Sequence, residues 1–357
     1  MLRAYTGTAC AFGLALLIGA TAPAFAQPAV QQGTYKPAER GECQREYPLY
    51  PAKERERWTE GWVDLRFTVT VDGAVKDVII ANQMGRGDFG PHTVKWLLEC
   101  KYSPAQRNGK PVQALNVFQR VFFMIDKTSQ GASPELGRRL RAVDDLLEQG
   151  QAEKAMTSLA DISKDSTYLY EMVNILARRA QAMALMNKPD IALLYLRQLR
   201  SSENDLPLRE QAWLRRLALR LALAQGLYLE AKEIAARTKG LGERDGDERL
   251  MKSLATLTDL VASPTAISVT GRVPAECEPE ICSPEKPVWS YRPVRRTLSL
   301  DNIQGELDSV EAQCDARTFQ AKAVAGVTWT IPASWGVCTI VVSGKPGSTF
   351  TLIDENI

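Results

Sequence analysis

Histidine is almost missing from this sequence. Its 357 residues contain one, His92, and a single imidazole cannot serve both a nucleophilic triad and a metal cluster. Also lacking are a Gly-x-Ser-x-Gly elbow, a Walker loop and a His-Glu-x-x-His helix, which removes the usual frameworks of esterases, nucleotidases and zinc proteases. Adjacent carboxylates such as Asp144 and Asp145 fall on a predicted helix and point to different sides, so they do not form an acid–base pair. Neither an enzymatic activity nor a cofactor is expected. An excess of one charge is missing as well: 44 Lys and Arg stand against 42 Asp and Glu, a formal +2, which argues against nucleic acid or an anionic membrane as the main partner.

A long apolar run occurs only at the start. Met1-Leu2-Arg3 supplies a positive charge, a mostly apolar stretch runs from Ala11 through Ile18 to Ala22, and Ala24-Phe25-Ala26 precedes Gln27 in the small-x-small pattern of a cleaved leader. Residues 1–26 are therefore expected to be a signal peptide. The alternative is an uncleaved anchor in the inner membrane through residues 4–26. Cys10 precedes the apolar stretch and is not placed for lipoprotein acylation. Beyond the leader there are six cysteines, Cys43, Cys100, Cys277, Cys282, Cys314 and Cys338, an even set in an exported chain. Disulfides are expected, one in an N-terminal domain and two in a C-terminal one. A zinc site is not expected, because Cys277-x4-Cys282 has no matching second pair.

Periodicity divides the remainder. Residues 27–42 form a short polar linker. Residues 43–126 read as an α+β domain: Val63, Leu65, Phe67, Val69 and Val71 alternate as in a strand with one buried face, Asp72-Gly73 supplies a tight turn, and Val75, Val78 and Ile80 begin a return strand. Phe89 to Tyr102 has the spacing of a helix packed on a sheet, with Phe89, Val94, Leu97 and Leu98 apolar. Asn108-Gly109 turns the chain, and Val112 to Ile125 is extended again. On that last strand Val117, Gln119, Val121, Phe123 and Ile125 share one face, while Phe118, Arg120, Phe122 and Met124 share the other.

Residues 133–263 change character. Ala, Leu, Arg and Glu dominate in helical spacing, and three segments, 149–155, 186–192 and 225–231, each place a turn before an alanine, at Ala155, Ala192 and Ala231. The offsets of 37 and 39 residues resemble those of tetratricopeptide repeats, with slightly longer loops. Such an all-α array stacks helical pairs and presents a concave surface for peptides or proteins. Arg138, Arg139, Arg141, Arg215, Arg216 and Arg220 are expected on solvated helix faces. Residues 266–357 return to short strand-like runs punctuated by Pro and Gly, at Ile267 to Val273, Val310 to Cys314, Val327 to Ile331, Cys338 to Val342 and Ser348 to Ile353. A small all-β, disulfide-containing sandwich is expected, with Trp329 and Trp335 in its core.

The α+β segment carries a set of residues in order: Tyr50-Pro51, Glu60-Gly61-Trp62-Val63, Phe67-Thr68-Val69, Asp72-Gly73-x-Val75, Phe89, Tyr102-x-Pro104-Ala105, Asn108-Gly109-Lys110-Pro111-Val112 and Phe122-Phe123. In this it resembles the C-terminal domain of TonB over about 80 residues. Glu54 departs from the family, which has a small apolar residue there on its first helix, and the cysteine pair is an addition. The resemblance implies that the last strand recruits an extended segment of an outer-membrane TonB-dependent receptor, or of another periplasmic protein, by strand addition. The strand residues implied are Asn116, Val117, Phe118, Gln119, Arg120, Val121, Phe122 and Phe123, with Gln119 and Arg120 the main polar contributors to selectivity. An alternative use of the same edge is a homodimer in a structural envelope protein. Residues 27–46 reach at most about 70 Å when extended and are not proline-dense, unlike an energy transducer's spacer. A soluble periplasmic protein that binds rather than pulls is therefore expected.

Overall fold

The computed structural model describes residues 35–125, 134–200, 208–238, 240–243, 246–275, 281 and 287–355. Residues from Thr34 to Ile357 cluster as one unit. The leader, Cys277 and Cys282 lie outside the described residues. Among the described residues no helix is long and apolar enough to cross a membrane.

The first region runs β1 (Tyr35–Lys36), β2 (Glu39–Arg40), α1 (Ala52–Glu56), β3 (Gly61–Val69), β4 (Val75–Met84), α2 (Phe89–Leu98), β5 (Tyr102–Ser103), β6 (Ala105–Arg107), β7 (Lys110–Val112) and β8 (Ala114–Phe123). Strands β4, β3 and β8 form an antiparallel three-stranded sheet in that order, beside the small ladders β1-β6-β7 and β2-β5. The alternating side chains Val63, Leu65, Phe67 and Val69 meet Phe89, Trp96 and Leu97 of α2, as their spacing predicts. Val71 falls outside the strand and is exposed, because the turn begins at Thr70, whose hydroxyl accepts from the Ala74 amide. Gly73 sits at φ 79°, and a Cβ there would lie 2.0 Å from the Tyr102 carbonyl oxygen, so only glycine fits. Leu98 is exposed, and Trp96 takes the inward position that its spacing leaves open. Cys43 and Cys100 are bridged, S–S 2.06 Å, which fastens the lead-in to the chain just after α2.

Strand β3 differs from its expected single buried face. Trp62 and Met84 join the core of the following helices with Leu169, Met172 and Val173, so the sheet is covered on both sides. Those helices are α3 (Pro134–Glu148), α4 (Ala152–Asp165), α5 (Leu169–Leu185), α6 (Pro189–Leu199), α7 (Leu208–Ala224), α8 (Tyr228–Arg237) and α9 (Asp247–Ala262). Three of the connections close alike. Gly150, Asn187 and Gly226 adopt φ of 71°, 56° and 70°, and the amides of Gln151, Lys188 and Leu227 each reach back five residues to a carbonyl, at 2.8, 2.9 and 2.9 Å. The alanines that follow, Ala155, Ala192 and Ala231, are fully buried where helices approach closely. Arg216 is no surface residue, contrary to expectation. It forks onto the buried Asp247 at 2.8 Å and donates to the Gly240 carbonyl, because α9 packs over its end of α7.

The last region comprises β9 (Ile267–Arg272), β10 (Val288–Tyr291), β11 (Thr297–Gln304), β12 (Leu307–Cys314), β13 (Thr318–Lys322), β14 (Thr328–Thr330), β15 (Cys338–Gly344) and β16 (Thr349–Glu355). They make two four-stranded antiparallel sheets, β10-β15-β12-β13 and β14-β11-β16-β9. Alternating residues of both, such as Val310, Ile340 and Val342 against Val269, Leu300 and Leu352, share one core. Trp289 stands edge-on to Phe350 at 5.1 Å between the layers. Cys314 and Cys338 are direct partners across the ladder and are bridged. Trp329 and Trp335, expected in the core, are partly buried at its margin. Strands β10, β11 and β13 were not among the expected runs, since Ser, Thr, Gln and Asp break their apolar content.

The helices meet the sandwich through charged groups. Burial pushes the Glu230 and Glu233 carboxyls up, but Arg197 beside Glu230, and Arg292 and Arg200 beside Glu233, outweigh this and hold both below the ordinary carboxylate range. Arg292 belongs to the sandwich side, so its pair with Glu233 of α8 spans the junction. A lowered folded pKa contributes stability above the unfolded value, 4.5, and that stability disappears as pH falls through the folded values. Thermal melts between about pH 7 and pH 3 are expected to show Tm falling below about pH 4.5, and falling less steeply in Arg197→Met. Identical acid limbs in the two proteins would show that these pairs do not couple to folding.

Candidate functional site

Strand β8 lies at an edge of its sheet. It pairs with β3 along one side, and among the described residues no strand pairs with its other side. From Val117 to Phe123 its register against β3 is unbroken, Phe67↔Val117 through Gly61↔Phe123. An unpaired row of amides and carbonyls on a regular strand is a template for another backbone. The opposite edge, β4, is a poorer one. Two register shifts interrupt its pairing, Asp77 takes φ 51°, and charged Lys76 and Asp77 stand on it.

The start of β8 is covered by the chain itself. Asn116 sits in a bulge at φ 53°, the Leu115 amide donates to the Asp315 carbonyl at 2.8 Å, and the Asn116 amide group donates to Thr318 Oγ1 at 3.3 Å. The turn between β12 and β13 of the sandwich thus occupies the first two residues after Ala114. The open stretch is Val117 to Phe123.

The side chains of the strand divide as the sequence predicts, but the polar ones are already engaged. On the α2 side Val121 and Phe123 are buried, Phe123 stacks on Phe89 at 4.5 Å, and Gln119 Oε1 accepts from the Tyr102 hydroxyl at 3.0 Å. Burial pushes the Tyr102 phenol up to about 12, so it keeps its proton and remains the donor. On the other side Arg120 forks onto Asp64 at 2.6 and 2.7 Å, donates to the Gln198 carbonyl at 2.6 Å and lies 4.6 Å from the Trp62 ring. Gln119 and Arg120, expected to face a partner, instead serve the fold: a tyrosine and a carboxylate within reach claim them first. Phe118 is the strand's most exposed member, at 51%.

Three residues that periodicity does not mark hold this strand in place. Glu60 is buried, and its two carboxylate oxygens accept from the Ile125 and Leu169 amides, both at 2.9 Å, joining the chain just after β8 to the first turn of α5. A carboxylate at a helix N-terminus is favoured by the exposed amides and the dipole there. Asp64 anchors Arg120, and Gln198 of α6 receives both Arg120 and Asn82. The signal in the sequence was Asp64 itself, an acid on a strand of large apolar residues. Glu54, the departure on α1, is buried and faces the Asp88 amide at 3.4 Å ahead of α2. Among the described residues no group of three or more His, Cys, Asp and Glu is placed to hold a metal.

Residues 46–122, from just before α1 almost to the end of β8, match the model of the family described as Gram-negative bacterial TonB protein C-terminal. The match takes in roughly a fifth of the chain, and the helices and the sandwich lie outside it. No curated protein matches the chain. The segment bearing the open strand is therefore similar to a TonB C-terminal domain, a domain of the bacterial envelope.

Proposed function

We propose that this protein is a soluble periplasmic binding protein, delivered there by cleavage of residues 1–26, that holds an extended segment of a partner along the outer edge of β8. The partner is a TonB-dependent outer-membrane receptor or another envelope protein. The observation that carries the reading is the regular edge from Val117 to Phe123, unpaired among the described residues, within the segment similar to TonB. Backbone hydrogen bonds supply the affinity, and Phe118 and Val117, flanking the edge, supply contacts that alternate side chains of the guest meet. Binding rather than catalysis also agrees with the lack of the common catalytic motifs.

The helical hairpins serve as a scaffold similar to tetratricopeptide repeats. Ion pairs and apolar contacts fix them to the rear of the sheet and to the sandwich, which keeps the edge rigid. Self-association through the same edge is the competing use. Titration of a fluorescent extended receptor segment, with sedimentation in parallel, separates the two. Saturable binding to a monomer is the expected result; a concentration-dependent dimer that takes up no segment assigns the edge to self-association.

A further inference from the structure

Cationic side chains gather on the face of the sheet remote from α2. A cleft of about 530 Å³ opens where the sheet face remote from α2, helix α6 and strand β10 come together. Arg66 and Arg120 reach it from the sheet, Arg197 and Arg200 from α6, and Arg292 from the residue after β10. Among the described residues the acids beside them are fewer. Arg120 is taken by Asp64, Arg197 by Glu230 at 3.0 and 2.6 Å, and Arg200 and Arg292 share the single carboxylate of Glu233. Among the described residues, five guanidiniums against three carboxylates leave an excess of two positive charges. The space has the volume of a small-molecule site.

Arg66 is one of the unbalanced charges. It shares a strand face with Asp64, but both oxygens of that carboxylate hold Arg120. Among the described residues the Arg66 guanidinium makes no ion pair or hydrogen bond; it lies 6.0 Å from the centre of the ring of Phe118, the direct partner of Arg66 in the ladder. Burial pushes its pKa down, with Asp64 opposing, yet an arginine remains charged. A partly buried cation that makes no direct ion pair is unfavourable unless something brings it one. Around it Phe118, Leu194 and Val288 provide apolar wall.

We propose that this cleft binds a small organic anion, a carboxylate or phosphate carried on an apolar or aromatic body, with the Arg66 guanidinium forking its oxygens and Phe118 lying against the body. The planar fork of arginine fits both anions, which distinguishes them less than it distinguishes either from a neutral molecule. Because the walls come from the sheet, the helices and the sandwich, an occupant touches all three. No group transfer is involved.

The test is calorimetric titration of the full-length protein at low salt with phenyl phosphate, with phenylacetate, and with benzyl alcohol as the neutral probe. At least one anion is expected to bind saturably, one per chain, and benzyl alcohol to show no saturable heat. Arg66→Ala is expected to weaken the anion about tenfold or more, and Arg66→Lys less, since hydrogen bonds from a charged donor are among the stronger ones. Phe118→Ala, an exposed position, is expected to weaken it too, and unchanged circular dichroism and Tm establish that each variant is folded. Preference for one anion tells which oxyanion the natural ligand carries. Absence of binding by either anion up to about 10 mM, an affinity too weak to matter, or undiminished binding to folded Arg66→Ala, overturns the proposal.

Discussion

Replacing Asp64 with alanine is expected to destabilise the protein by about 3–5 kcal/mol, the range for removing one partner of a buried ion pair. The Asp64 and Arg120 side chains are each 6% exposed and joined by two short bonds. Truncation leaves a guanidinium facing the Trp62 ring and the Gln198 carbonyl, with no carboxylate and little water. The loss measures that stranded charge and not the net worth of the pair, because assembling two charges in a dry site also carries a desolvation cost. Asp64→Ala combined with Arg120→Met is therefore expected to recover most of the loss. Denaturant unfolding followed by tryptophan emission reads both, with Trp62 4.6 Å from the guanidinium as an internal reporter. A loss below about 1 kcal/mol for Asp64→Ala would place the pair among ordinary surface contacts.

Removing the Cys43–Cys100 bridge by changing both residues to serine is expected to lower stability by about 4 kcal/mol, from the entropy returned to an unfolded chain by opening a loop of this length. The separation is 57 residues, and the loop contains α1, the β3–β4 hairpin and all of α2. The bridge also holds the lead-in in contact, where the Trp96 indole donates to the Arg45 carbonyl at 2.9 Å and Arg40 lies 5.8 Å from the Trp96 ring. Guanidinium midpoints of the oxidised protein and the double serine variant give the difference. A change under about 1 kcal/mol would mean that the unfolded chain is held together by other means, against the chain-entropy account.

Local physics was readable in the sequence, and partner choice was not. Alternation at Val63, Leu65, Phe67 and Val69 marked both the strand and the face toward α2. The helix turns were legible because left-handed closure demands Gly or Asn, and Gly150, Asn187 and Gly226 supply them. The two cysteine bridges seen lie within the regions where spacing put them. What escaped depends on chain segments far apart. Trp62 reads as the solvent face of a strand until helix α5, about a hundred residues later, covers it. Arg120 and Arg216 read as surface cations, since nothing in their neighbourhood reveals that Asp64 and Asp247 will meet them in the fold. Arg66 shows the converse: its neighbours in sequence include an acid, and that acid is spent elsewhere.

Amide hydrogen exchange of the protein with and without a bound extended receptor segment tests the open edge most directly. Protection is expected to rise at alternate amides between Val117 and Phe123, whose donors point away from β3, while β4 stays unchanged. Tight binding that leaves the exchange of β8 untouched, with protection appearing on β4 or along the helices instead, would contradict strand addition at this edge.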